Sequence, residues 1–178
     1  MPYLVAAIVV VGLLGLLNLM LTIAVARRLR SADQHGPRAT AEPMAPVGTR
    51  VEDFTVPTVD GAEWSRDSLS GETLVGFFSP GCPACEELVP EFFEYASGFP
   101  GGPDQVIAVV EAMVEDAGRY VSLLSPVARV VADPPGRGVV VPAFAVRAFP
   151  GVVVVDATGT ITASGGGIAA LPVPVPAR

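Results

Sequence analysis

The sequence predicts an α/β fold, a central mixed sheet flanked by helices, carried behind an N-terminal transmembrane helix. Strand-length apolar runs alternate with segments of helical period between Thr73 and Leu124, the pattern of parallel strands joined by a right-handed crossover. Two further stretches, around 53–64 and 152–163, read as antiparallel hairpins, which makes the sheet mixed. The chain opens on a long uncharged apolar run.

That run, Leu4 to Ala26, spans 23 residues whose clearly polar side chains are Asn18 and Thr22. As a helix it covers roughly 30 Å, the thickness of a bilayer's hydrocarbon core. The competing reading is a cleaved secretory signal, for which Ala24-Val25-Ala26 offers a small-x-small site. A missing positive n-region and an apolar stretch longer than a usual signal core favour the anchor. Arg27, Arg28 and Arg30 follow the run, and the positive-inside rule applied to them puts the C-terminal part in the cytoplasm. From Ser31 to Pro46 the chain is polar and rich in Ala and Pro, a tether, and contains the single histidine, His35, which reads as solvated.

The folded part is expected from about Val47. Asp60-Gly61 is a strong turn signal between Asp53–Val56 and the segment around Trp64. Thr73–Phe78 is a buried strand ended by Ser79-Pro80-Gly81. Cys82–Ala96 is a helix, with Leu88, Val89, Phe92, Phe93 and Ala96 on one face, Glu86, Glu87, Glu91 and Glu94 on the other, and Pro90 expected to kink it. Val106–Val110 is a central strand and Glu115–Leu124 a helix. Asp133-Pro134-Pro135-Gly136 is a turn before a short segment at Val139–Val141. Val152–Asp156 and Thr160–Ala163 flank Ala157-Thr158-Gly159 as the last hairpin, and the prolines after Gly165 forbid a long terminal helix. The divisions are thus 1–30 (anchor and basic flank), 31–46 (tether), 47–165 (domain) and 166–178 (tail).

Composition narrows the function. All eleven basic residues are arginine, and eighteen acids leave a net charge of −7, which argues against nucleic acid as a partner. The chain has two cysteines, Cys82 and Cys85, in a C-x-x-C spacing: too few for a disulfide scaffold, and the number a redox pair needs. At the start of a helix the first cysteine meets unpaired N–H groups and the positive end of the dipole, which stabilise its thiolate; the acidic neighbours Glu86 and Glu87 oppose this. Cys82 is therefore the candidate nucleophile. Cys85, one turn on, can resolve a mixed disulfide, so that two electrons move with no cofactor. Half of a zinc site is disfavoured because no further cysteine exists and the one histidine lies in the tether. A structural bond between residues three apart would close too small a loop to stabilise much. Two unrelated buried cysteines fit poorly with a strand on one side and a helix on the other.

Phe77-Phe78-Ser79-Pro80-Gly81-Cys82-Pro83-Ala84-Cys85, with Pro90 five residues on, resembles the strand-to-active-site passage of the thioredoxin superfamily. Val146-Arg147-Ala148-Phe149-Pro150-Gly151, followed by a valine strand and Asp156-x-x-Gly159, resembles its cis-proline loop and last hairpin. Within the superfamily, Val51-Glu52-Asp53-Phe54 through Trp64 and Leu69-Ser70-Gly71 is similar to the opening of TlpA-like reductases and of MauD, the methylamine-utilisation accessory protein. The resemblance implies that Cys82 and Cys85 are catalytic, that Pro150 is cis and faces them, and that Phe149, Pro150, Pro83 and Ala84 contact substrate. Three departures stand out. Gly76 occupies the place of the buried aspartate, Gly81 replaces the usual tryptophan, and the terminal helix is short or absent. Trp64 and Tyr120 read as packing residues.

The resemblance implies a membrane-tethered thiol–disulfide oxidoreductase that exchanges disulfides with protein clients, is recharged by a membrane or soluble thiol reductant, and meets the bilayer through residues 4–26. No cofactor or metal is expected. The alternative is a tethered module that binds clients without turnover, suggested by the missing aspartate. Copper delivery and peroxidase chemistry are poorly served, for want of histidine ligands and of a Thr-x-x-Cys arrangement. TlpA-like proteins imply an extracytoplasmic domain on a single-pass anchor, against the charge bias after residue 26.

Overall fold

The computed structural model describes residues 44–173 together with Gly12, Gly15 and Met20. Apart from those three residues, the run read as an anchor, its basic flank and the tether with His35 up to position 43 lie outside the described residues, as does the tail from 174. Among the described residues no helix is long and apolar enough to cross a membrane.

The chain opens with a hairpin, β1 (Thr55–Pro57) and β2 (Glu63–Ser65), then runs through β3 (Thr73–Phe78), α1 (Pro83–Ser97), β4 (Val106–Val110), α2 (Gly118–Leu124), β5 (Arg129–Ala132), α3 (Val140–Ala143), β6 (Gly151–Val155) and β7 (Ile161–Gly165). Strands β3 to β7 form one five-stranded sheet in the order β5-β4-β3-β6-β7. Strand β3 pairs parallel with β4 and antiparallel with β6; β4 pairs parallel with β5, and β6 antiparallel with β7. This is a thioredoxin-like α/β fold with the mixed sheet expected from the sequence.

Period-two alternation sends the strand side chains to two cores. Leu74, Phe78, Val106, Val110, Val152 and Val154 meet Leu88, Val89 and Phe92 of α1 and Tyr120 and Leu124 of α2. Val75, Phe77, Ile107, Val109, Val153 and Val155 meet Phe54, Trp64 and Phe144 on the other side. There the rings of Phe54 and Trp64 lie 4.5 Å apart, and Phe77 and Phe144 5.3 Å apart. Coverage of both faces is why β3, β4 and β6 read as unbroken apolar runs rather than alternating ones. Met44 and Ala45, at the end of the segment read as a tether, are buried in the second core, so packing begins before Val47.

Several expectations need correction. Strand β5 was not expected, because its four residues are short and open on Arg129. Helix α2 starts at Gly118 rather than Glu115; a turn closed by the Asp116 and Ala117 N–H groups on the Met113 carbonyl, at 3.0 and 3.1 Å, occupies the preceding residues. Phe93, placed on the apolar face, is 37% exposed, since it lies about 100° around the helix from buried Phe92. The stretch at Val139–Val141 leads into a single helical turn, α3. As the prolines after Gly165 lead one to expect, no long helix follows β7 among the described residues; the chain makes a 3-10 turn, Ile168–Ala170, held by buried Leu171 and by the Tyr95 hydroxyl donating to the Pro172 carbonyl at 2.6 Å.

Both margins of the sheet are engaged. The Val59 N–H donates to the Val130 carbonyl of β5 at 2.8 Å, bringing the hairpin loop onto that edge. Residues 48–51 run along the start of β7, exchanging bonds between Gly48 and Ile161, Thr49 and Ile161, and Val51 and Gly159 at 2.8–2.9 Å. Such contacts occupy part of each edge, at Val130 of β5 and at Ile161 of β7, and shorten the open rows of N–H and C=O groups that invite edge-to-edge pairing.

Candidate active site

Strand β3 delivers the chain to the site through Ser79-Pro80-Gly81. Gly81 has φ +77°, in the left-handed region where a side chain is disfavoured. A bulky residue, the family's tryptophan, could take that backbone only at a cost. Cys82 is the N-cap of α1 and Pro83 fills its first turn, where a missing N–H costs nothing. The Cys85 and Glu86 N–H groups turn back to the Cys82 carbonyl at 3.1 and 3.2 Å, and the Cys82 N–H donates to the Ser79 carbonyl at 3.3 Å.

No disulfide joins the two cysteines, and both are buried. Cys82 is 4% exposed and Cys85 fully buried behind it. Across the site the Phe149–Pro150 peptide bond is cis, and the Cys82 thiol approaches the Phe149 carbonyl at 3.9 Å. The fold therefore brings Cys82, Cys85 and Phe149 together, from an α-helix N-terminus and a loop 67 residues away. Phe149 and Pro150 are half-buried, and Pro83 and Ala84 are exposed beside the thiol pair.

The loop carrying Phe149 is aimed by what precedes it. After α3 the Ala145 N–H bonds to the Pro142 carbonyl at 2.8 Å and the Val146 N–H to the Val141 carbonyl at 3.1 Å, with Ala145 at φ 49°. This is the Schellman geometry with alanine at the position glycine favours. The N-terminal end of α3 is fixed by Asp133, a 2% exposed carboxylate that accepts the N–H groups of Val139, Val140 and Val141 at 2.9, 3.3 and 2.8 Å.

Burial, a hydrogen bond with Cys82 and the negative charges of Cys82 and Glu86 push the Cys85 thiol up to about 12, against the opposing Ser79 N–H, which donates to Cys85 Sγ at 3.5 Å. Cys85 is thus a thiol at neutral pH. Its folded-state value lies above the ordinary 9.0, so the stability it contributes is full below pH 9.0 and declines as pH rises toward 12. Glu86, whose charge disfavours thiolates nearby, is paired with Arg119 of α2 at 2.9 Å.

At Gly76 there is no room for a carboxylate. A Cβ built there would lie 2.5 Å from Phe92 Cε2 and 2.9 Å from Phe78 Cε2, so two core rings fill the space. The sequence reading missed the role of Ser79, whose main chain touches both cysteines. A backbone N–H belongs to every residue type except proline, so no sequence signal marks it. It also gave Tyr120 a packing role alone. Tyr120 is buried, but its hydroxyl donates to the Ser79 carbonyl at 3.4 Å; the signal was a polar tip on the apolar face of a short helix.

Known proteins can be set beside this geometry. A thio-disulfide isomerase from Thermus thermophilus is similar with a TM-score of 0.55 and 19% identity over 69% of this chain and 87% of that one. The thioredoxin domain of a thiol-disulfide oxidoreductase from Bacteroides vulgatus gives 0.54 and 20%, over 67% and 88%. A secreted disulfide oxidoreductase of Mycobacterium tuberculosis gives 0.51 and 24%, over 67% and 87%. At these identities the likeness establishes the fold. No curated protein sequence matches the chain significantly. A family model, described as the AhpC/TSA family, matches residues 47–164, from the first turn of the domain through both cysteines to the last strand. With that match over more than half its length, the chain belongs to the AhpC/TSA family, in a thioredoxin-like fold.

Proposed function

We propose that this chain is a membrane-tethered thiol–disulfide oxidoreductase of the TlpA type, exchanging disulfides with protein clients through Cys82 and Cys85. The observation that carries the reading is the Cys82 thiol at the N-terminus of α1 against the Phe149 carbonyl, with protonated Cys85 directly behind. The Cys82 thiolate attacks one sulfur of a client disulfide, forming a mixed disulfide and expelling the client's other sulfur as a thiolate. Cys85 then releases its proton to water and attacks Cys82 Sγ. A protein disulfide forms, the client leaves as a dithiol, and two electrons have passed to it. A thiol reductant restores the pair. The main chain at Phe149, beside Pro150, lies where an extended client can pair as an added strand, with Pro83 and Ala84 at the rim.

Cys85→Ser removes the resolving sulfur. The variant should accumulate clients bound through Cys82, visible as bands that disappear on reduction, while the Cys82→Ser/Cys85→Ser double variant should hold none. Retention of the same clients by the double variant would instead establish binding without turnover.

The anchor at residues 4–26, and a domain on the extracytoplasmic side where disulfides persist, complete the proposal. A membrane-impermeant maleimide applied to intact cells should label the cysteines only after mild reduction. Labelling confined to lysed cells would put the domain in the cytoplasm, in line with Arg27, Arg28 and Arg30.

A further inference from the structure

Cys85 must lose its proton in the resolving step, yet the space at Gly76, where the superfamily holds a carboxylate, is filled by Phe92 and Phe78. The main-chain donor that favours a Cys85 thiolate is the Ser79 N–H, at 3.5 Å from Sγ. Ser79 sits in a loop beyond the last residue of β3 and is followed by proline, so the loop has few bonds of its own to hold it. Its carbonyl takes the Cys82 N–H at 3.3 Å and the Tyr120 hydroxyl at 3.4 Å. Tyr120 is well fixed for this task. It is 4% exposed, and its ring lies against Phe78, the residue before Ser79, with centroids 5.6 Å apart. Its neighbour Arg119 reaches α1 through Glu86, so the first turn of α2 meets the redox turn at two adjacent points.

We propose that Tyr120 is a positioning residue for the resolving step: its hydroxyl holds Ser79 so that the Ser79 N–H stays on Cys85 Sγ as that sulfur becomes the nucleophile. The inference rests on the oxidoreductase reading. Tyr120 touches neither sulfur's new bond and exchanges no proton; it fixes the residue that donates to the sulfur. Without the hydroxyl, the Ser79 carbonyl keeps the Cys82 N–H but loses its second donor, Ser79 is held less firmly, its hydrogen bond to the developing charge on Cys85 weakens, and closure of the protein disulfide slows. Attack by Cys82, which does not use that N–H, keeps its rate.

The test uses the reduced full chain and the aryl disulfide 5,5′-dithiobis(2-nitrobenzoate). Cys82 attacks the reagent and expels one thionitrobenzoate. Cys85, its proton passing to water, then attacks Cys82 Sγ and expels the second, so the dithiol is oxidised as the reagent is reduced. The two releases report the two steps separately. Tyr120→Phe should slow the second release about 3- to 10-fold, the worth of one neutral hydrogen bond, and leave the first within about twofold. Its melting temperature should fall by no more than about 6 °C, because the ring remains and one hydrogen bond is lost. Tyr95→Phe, which removes a hydroxyl bonded to Pro172 instead, should leave both releases unchanged. An unchanged second release in Tyr120→Phe overturns the assignment, as does equal slowing of both releases. If the parent chain releases no second equivalent, the oxidoreductase reading falls and the assignment with it.

Discussion

Gly76→Asp, which restores the superfamily's buried acid, is expected to cost about 3–6 kcal/mol, a large part of the stability of a domain of this size. The first part of that cost is steric. The new Cβ would stand 2.5 Å from Phe92 and 2.9 Å from Phe78, rings that are fully buried and meet edge to face with centroids 5.2 Å apart, so neither can swing into solvent. Overpacking of this kind costs about 1–3 kcal/mol, and Gly76→Ala should show that part alone. The second part is chemical. The flanking surfaces are aromatic, and a carboxyl group left without a hydrogen-bond partner adds about 2–3 kcal/mol. Urea denaturation measures both variants. Adding Phe92→Leu to Gly76→Ala should recover about 1 kcal/mol relative to the sum of the single changes, since the shorter side chain vacates the space the Cβ needs. Strict additivity would mean that the ring at 92 is not what excludes a side chain at 76.

Asp133→Ala is expected to lower stability by about 3–4 kcal/mol, through the three N–H groups it would abandon and the buried volume it would empty. The carboxylate bonds Val139, Val140 and Val141 at once and is packed closely against the backbone at Gly138, where an added Cβ would strike it. Asp133→Asn keeps one acceptor oxygen and should cost about half as much. Hydrogen exchange at the amides of Val139–Val141 gives a local reading: their protection should fall at least tenfold in the alanine variant. Because α3 leads through Ala145 and Val146 to Phe149, exchange of disulfides should slow in the same variant. Full protection of those amides would show that water or neighbouring groups replace the carboxylate.

The central strands were legible because both faces of the sheet are covered, which turns β3, β4 and β6 into apolar runs that end at turn residues. The hairpins were legible through Asp60-Gly61 and Asp156-x-x-Gly159, whose turn chemistry is local. What the sequence hid depends on distant partners. Val139–Val141 becomes helical because a carboxylate six to eight residues earlier collects its amides, a pairing no period in the sequence reports. Strand β5 carries a weak signal because its length is four residues and its register comes from β4. At the site, Cys82 and Cys85 are marked by their own covalent chemistry and could be read directly, whereas Pro150 was legible only through the family resemblance, because Phe-Pro-Gly by itself reads as an ordinary turn. Ser79 acts through its main chain, and Tyr120 through a hydroxyl whose partner lies 41 positions away.

A domain that handles extended, partly folded chains faces a hazard of its own making, since any bare strand on it would capture them by main-chain pairing at a place where no chemistry occurs. Here the hairpin loop lies on one flank of the sheet and residues 48–51 on the other. On the proposed function, those coverings act as a filter. They shorten the stretches of flank on which a visiting polypeptide could rest and leave the backbone beside the thiol as a place to dwell, which converts an ordinary protection against self-association into a means of directing traffic to the sulfur.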